Sequence, residues 1–207
     1  GVEEPHAVPY GGKKKILHTH PISIGFPGGQ EPSMVMDFAT TVVAGGKVVV
    51  ARRDDKQLPD GAIVDKYGKP TTDPEDFFGG GAHLPFGGHK GYSIMVANEL
   101  LGRVLSTADI YADPTKGGVV FRHQGLTFIV FRADLFQDMS KFVDNADSLL
   151  RNIRATPPAP GYEEVMVPGD PESKAREDRS ANGIYLNDAV WRSLTDLCVE
   201  MDIEVDL

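Results

Sequence analysis

Cysteine is almost missing from this chain of 207 residues: Cys198 stands alone, so an intrachain disulfide and a CxxC metal site are both excluded. A reducing, cytosolic setting is the natural expectation. Long apolar runs are missing too, and none approaches the ~18 residues of a membrane span. No signal-peptide pattern is visible. Positive charge is in deficit, with 21 Lys and Arg against 30 Asp and Glu, a net −9. That balance argues against broad binding to nucleic acid or anionic membrane, and the run Lys13–Lys15 is too short to change it. No GxGxxG follows a strand, no GxxxxGK[ST] occurs and there is no GxSxG, so Rossmann, P-loop and serine-hydrolase readings lack their fingerprints.

What is present fits a globular protein with a real core: 41% of residues are hydrophobic and 25% charged. Strand-like and helix-like segments alternate, which predicts a layered α/β or mixed domain. The opening through Lys15 reads as an entry segment rather than a packed element. Residues 33–38, SMVMDF, read as a short buried strand, and the segment after it as a helix despite its valines. Tyr67–Pro70 carry turn chemistry. A largely buried helix follows LPFGGHKG and runs to about Ser106. Residues 119–132 read as two strands broken near Gln124–Gly125. An amphipathic helix then carries Phe142, Ala146, Leu149, Leu150 and Ile153. Pro157–Pro160 mark the strongest boundary, giving a first domain of 1–156 and a C-terminal helical segment of 157–207. Beyond it lie a short strand in EVMVPGD, a charged helix and a last helix capped by Asn187.

Three places have the chemistry of a ligand site. At the mouth of the buried helix, Gly87, Gly88 and Gly91 surround His89 and Lys90. A helix start offers free N–H groups and a positive dipole end, glycine permits close backbone approach, and Lys90 adds a cation suited to an anion. A plain tight loop with a solvated lysine is the alternative. Asp37 ends a strand and can cap the next helix, bond a ribose hydroxyl or orient a catalytic histidine. Gly169, Asp170 and Pro171 form another loop entering a helix, with a helix cap as the alternative. His18 and His20 lie two apart on one face of an extended stretch and, with a carboxylate such as Asp37, offer ligands for a metal; two polar side chains lining a pocket or the surface is the other reading.

As a set and in this order, THPISIGFPG, MDFATTVVAGGKV, PTTDP, LPFGGHKGYSIMVANELLG, EEVMVPGD and REDRSANGIYLND resemble the malate/L-lactate dehydrogenase (type 2) family. Its members include ureidoglycolate, sulfolactate, diketogulonate and piperideine-2-carboxylate oxidoreductases. The resemblance implies a non-Rossmann cofactor-binding fold using NAD or NADP, a small 2-hydroxy or 2-oxo acid as substrate, and a homodimer. It implies cofactor contacts from Met36, Asp37, Phe38, Ala39, His89, Lys90, Gly169, Asp170 and Pro171, and a substrate border at Thr19, His20 and Pro21, with no metal. His20 and Asp37 are the local candidates for assisting catalysis, because the family's main acid/base histidine belongs to an N-terminal helical region expected upstream of Gly1. A chain of this kind that binds nucleotide or a partner without turnover, and a metal enzyme built on His18 and His20, are the alternatives. Two positions depart from the family pattern: His20 stands where asparagine is usual in Thr-Asn-Pro, and Leu126 where histidine is expected.

Overall fold

Two short antiparallel sheets and six helices account for the regular structure of a computed structural model that describes residues 5–108 and 125–203. The chain divides into two compact units, residues 1–148 and 149–207. This is an α/β arrangement, as the alternation of the sequence predicts.

In the first unit, β1 (Ile22–Phe26) pairs with β2 (Met34–Phe38), Ser23 opposite Asp37 and Ile24 opposite Met36. The expected strand at 33–38 is therefore present, but it lies half-exposed rather than buried. The second sheet has the order β4-β3-β5: β3 (Ile63–Val64) lies between β4 (Pro70–Thr71) and β5 (Ala82–His83). Asp65 closes the expected turn by accepting the amides of Tyr67 and Lys69 at 2.8 and 2.9 Å.

Helix α1 (Gly45–Arg53) presents Val48 and Ala51 to Leu58, Ala62 and Ile63, the largest buried cluster. Lysine and arginines occupy its exposed side, so the valine-rich segment is helical, as expected. Tertiary burial of one face outweighs the β preference of its branched residues. Helix α2 (Pro74–Phe78) starts at Asp73, whose side chain accepts from the Glu75 amide, with proline in the first turn.

The N-terminal stretch corrects the expectation of an unpacked entry segment. Ala7 and Val8 are fully buried. The Ala7 amide donates to the Leu17 carbonyl at 2.8 Å, and the Val8 amide to the His83 carbonyl at 3.1 Å. Ala7 packs with Leu17 and Met95, and Val8 with Val64 and Ala82. Long-range backbone pairing, invisible in local composition, places these residues in the core.

Helix α3 (His89–Glu99) continues into a π-helical turn, Leu100–Leu105. It reaches the predicted end, yet only Gly91 and Met95 are buried, and Leu105 is 68% exposed. The expectation of a largely buried helix is thus corrected for its second half. Residues 125–132 form no strand, and Phe128 and Val130 are over 80% exposed; residues 119–124 of that prediction lie outside the described ones. Among the described residues this segment pairs with no strand, and a strand forms only where a ladder can be joined.

Helix α4 (Met139–Arg154) begins in the first unit and ends in the second. In its first part, buried Asp147 accepts the amides of Gly29 and Gln30 at 2.9 and 2.7 Å, tying the β1–β2 loop to the helix. The second unit holds α5 (Asp170–Asn182) and α6 (Asp188–Glu200). Asn187 caps α6 as expected, accepting from Val190 at 3.0 Å. The strand expected in 164–170 is absent; that stretch is a turn leading into α5. Neither α5 nor α6 contains a fully buried residue.

Candidate functional site

A cleft of about 800 Å³ opens beside the end of β2. Pro21, Asp37, Phe38 and Ala39 line it together with Val42, Lys47 and Leu58. Four of the residues singled out in the sequence therefore meet on one surface, within the volume range of small-molecule sites. The pairing of β1 with β2 brings Pro21 and Phe38 to the same end of the sheet. Asp37 accepts from the Ser23 hydroxyl at 2.5 Å across the register, through Oδ1. Phe38 meets Phe86 edge to face, with ring centroids 5.5 Å apart. That contact and the bond from the Phe86 amide to the Thr40 carbonyl, 3.0 Å, join the cleft wall to the glycine-rich loop.

Met36 lies one residue further from the end of β2 and is absent from the lining. His89 and Lys90 occupy the first turn of α3, both exposed, and they too lie outside the lining residues. The loop before them needs its glycines. Gly87 and Gly88 have φ of 54° and 60°, and a Cβ on Gly91 would stand 2.0 Å from the Phe86 carbonyl oxygen. Gly88 caps α3 without a side-chain bond, and His89 faces Tyr10 with ring centroids 6.1 Å apart.

Thr19, His20 and Pro21 form a pinned loop. Buried Thr40 donates its amide and its hydroxyl to the Thr19 carbonyl, both at 2.8 Å. Asn98 of α3 donates to the His20 carbonyl at 2.9 Å. These bonds hold His20 at φ 38°, a left-handed conformation uncommon outside glycine. The His20 Nε2 lies 3.1 Å from the His18 amide and 3.3 Å from Glu99 Oε2. Burial holds the His20 pKa below the ordinary value; the Glu99 carboxylate opposes that effect, while His18 and Arg103 add to it. His18 is lowered as well, chiefly by burial. His83, fully buried under Phe77, is pushed down to about 4 by burial and by His6.

In the second unit, Gly169 is the residue before α5, at φ 100°, followed by Asp170 and Pro171 in the first turn. The Asp170 carboxylate takes both guanidinium contacts of Arg154, at 2.8 and 2.9 Å, and the Val167 amide at 2.9 Å. Arg154 accordingly holds the Asp170 carboxyl below the usual carboxylate range. Among the described residues, no three His, Cys, Asp or Glu side chains gather in a group suited to a metal ion.

Sequence reasoning missed Lys47, Asn98, Glu99 and Arg103. Lys47 sits in the first turn of α1 directly after two glycines, a signal of the same kind as Gly88–Lys90. The pair Glu99–Arg103 has the i,i+4 spacing of a helical ion pair, and its contact measures 2.6 Å.

Around the cleft, Phe38 and Val42 offer apolar surface, Asp37 a carboxylate and Lys47 an ammonium group. A family model described as malate/L-lactate dehydrogenase matches residues 2–195. The chain is 34% identical over 212 residues to L-sulfolactate dehydrogenase of Methanocaldococcus jannaschii, covering 98% of this chain and 58% of that protein. It is 35% identical over 206 residues to L-lactate dehydrogenase of Cupriavidus necator, covering 97% of this chain and 58% of that one. The solved sulfolactate dehydrogenase from Methanocaldococcus jannaschii superposes with a TM-score of 0.75 at 35% identity, over 97% of this chain and 58% of that chain. The chain thus spans 58% of the length of these relatives. It belongs to the malate/L-lactate dehydrogenase family.

Proposed function

We propose that this chain is part of a nicotinamide-dependent oxidoreductase acting on a small 2-hydroxy or 2-oxo acid, and that the cleft at the end of β2 holds the nicotinamide nucleotide. One observation carries the reading: Pro21, Asp37, Phe38 and Ala39, from two motifs distant in sequence, converge on a single cleft with Lys47. The family and the relatives named sulfolactate and lactate dehydrogenase support the substrate class. A non-Rossmann cofactor fold is in keeping with the missing glycine fingerprint and with the short antiparallel strands.

A nicotinamide, when bound, supplies or accepts the hydride at the second carbon of the acid. The chain's own residues do the rest. Lys47 attracts the anionic part of the nucleotide, Asp37 accepts from a hydroxyl, and Phe38 with Val42 keeps water from one face of the ring. Lys90 and His89 act as a second clamp at the mouth of α3. Thr19, His20 and Pro21 border the acid; Gly169, Asp170 and Pro171, within the second unit, form a helix-start loop suited to cofactor contact. The working enzyme is a cytoplasmic homodimer using NAD or NADP.

Turnover assays test this directly. The chain, with NADH or NADPH and the 2-oxo acids pyruvate, oxaloacetate and sulfopyruvate, is expected to consume the reduced nucleotide with at least one acid. Lys47→Ala is expected to raise the KM for nucleotide about tenfold, the loss of one charge-assisted contact. A folded chain that neither turns over any acid nor binds either nucleotide contradicts the proposal.

A further inference from the structure

His20 Nε2 stands between two neighbours with opposite demands. The His18 amide, 3.1 Å away, only donates. The Glu99 carboxylate, 3.3 Å away, only accepts when ionised. One ring nitrogen carries either a lone pair or a proton, so it satisfies one of these groups at a time. The surroundings keep the choice sharp. Glu99 is anchored from its far side, its Oε1 accepting from Arg103 Nη1 at 2.6 Å one turn along the helix. The backbone carrying the imidazole is fixed by Asn98 and Thr40, and the His20 and Glu99 side chains are only 11% and 17% exposed. Neither partner is free to drift away when the proton state changes.

We propose that Glu99 is the positioning residue of His20: the Arg103–Glu99 pair receives the Nε2 proton of the imidazolium, and the His18 amide takes over when that proton leaves. The 19–21 loop therefore carries a proton-dependent contact at the edge of the cleft, where Pro21 is a lining residue. Its use in the reaction rests on the reading that this loop borders the acid. Oxidation of a 2-hydroxy acid releases a hydroxyl proton and reduction of a 2-oxo acid requires one, so a group that changes hydrogen-bond partner with one proton is suited to that place. The charged and titratable groups facing His20 are Glu99, His18 and Arg103. Burial, His18 and Arg103 favour the neutral ring, and Glu99 alone favours the imidazolium. The neutral state at physiological pH is thus the Nδ1–H tautomer with Nε2 accepting from His18.

Nitrogen-15 NMR of the histidine rings in the full chain, titrated across the His20 transition, tests this. The neutral ring is expected as the Nδ1–H tautomer, and the His18 amide shift is expected to follow the ring with the same midpoint. In Glu99→Gln the midpoint is expected to fall by about one unit, because the carboxylate that stabilises the imidazolium is gone; Glu99→Asp is expected to restore part of the shift. A neutral Nε2–H tautomer, or a His18 amide indifferent to the ring, overturns the proposal in the unsubstituted chain alone, whatever the variants do. Adding NADH and oxamate, an unreactive analogue of a 2-oxo acid, separates the two levels. A raised His20 midpoint places the acid beside the pair. No change leaves the proton-dependent contact standing and removes the substrate border from this loop.

Discussion

Replacing Gly91 by alanine is the sharpest structural perturbation available at the glycine-rich loop. A Cβ there would lie 2.0 Å from the Phe86 carbonyl oxygen, well inside the ordinary carbon–oxygen approach of about 3.3–3.6 Å. The helix cannot relieve this by moving a side chain, because the obstacle is backbone. Relief requires opening the 3.1 Å bond from the Gly91 amide to that carbonyl and shifting Phe86, which also donates to Thr40 and packs on Phe38. Overpacking costs about 1–3 kcal/mol, and one lost hydrogen bond adds roughly 1 kcal/mol, giving about 2–4 kcal/mol. For a chain of this size that lowers the melting temperature by about 5–15 °C. Circular dichroism during heating and urea denaturation reads both quantities. Gly46→Ala is the control: its Cβ meets nothing within 4 Å in the first turn of α1, so the gain in helix propensity is expected to leave it equal to or up to ~1 kcal/mol more stable than the parent. A Gly91→Ala chain within about 0.5 kcal/mol of the parent would refute the steric reasoning.

The remaining predictions concern two buried polar groups and a helix cap. His83 titrates at about 4 when folded against 6.5 unfolded. Between these values the unfolded chain binds the extra proton, so stability falls as pH drops from about 6.5 to 4, by about 3 kcal/mol for this group. Urea midpoints against pH should show that slope, and His83→Asn should flatten it. Asp147→Ala removes the acceptor of two loop amides and is expected to cost about 2 kcal/mol, measured by denaturant unfolding, with faster amide exchange at Gly29 and Gln30. Asn187→Ala removes the cap of α6 and should cost about 1 kcal/mol of helix stability, read as faster exchange of the Val190 amide.

Local signals in the sequence were legible where the physics is local. The Asn187 cap, the Asp65 turn, the strand ending at Phe38 and the amphipathic helix at 139–154 each depend on residues within a few positions of one another. What depends on distant partners was not. Ala7 and Val8 are core residues only because Leu17 and His83 pair with their backbone. Residues 125–132 have the composition of a strand, yet composition cannot supply the neighbouring strand that a ladder requires. The same holds at the site. Asp37 and Phe38 were recognisable from the motif, and their meeting with Pro21 follows from strand pairing. Glu99 and Arg103 sit in a helix whose pattern reads as packing, and only the return of the His20 loop to Asn98 gives them a chemical partner. Lys47 was hidden for a different reason, because the valines around it compete with the helical reading that puts it in a first turn.

Titration of the purified chain with NADH and NADPH, followed by nicotinamide fluorescence, tests the central claim most directly. Saturable binding of at least one nucleotide is predicted, weakened about tenfold in Lys47→Ala and also weakened in Lys90→Ala, since each removes a cation offered to phosphate. A folded chain that binds neither nucleotide, or binds one with an affinity indifferent to both substitutions, would contradict the assignment of the cleft and the glycine-rich loop to the cofactor.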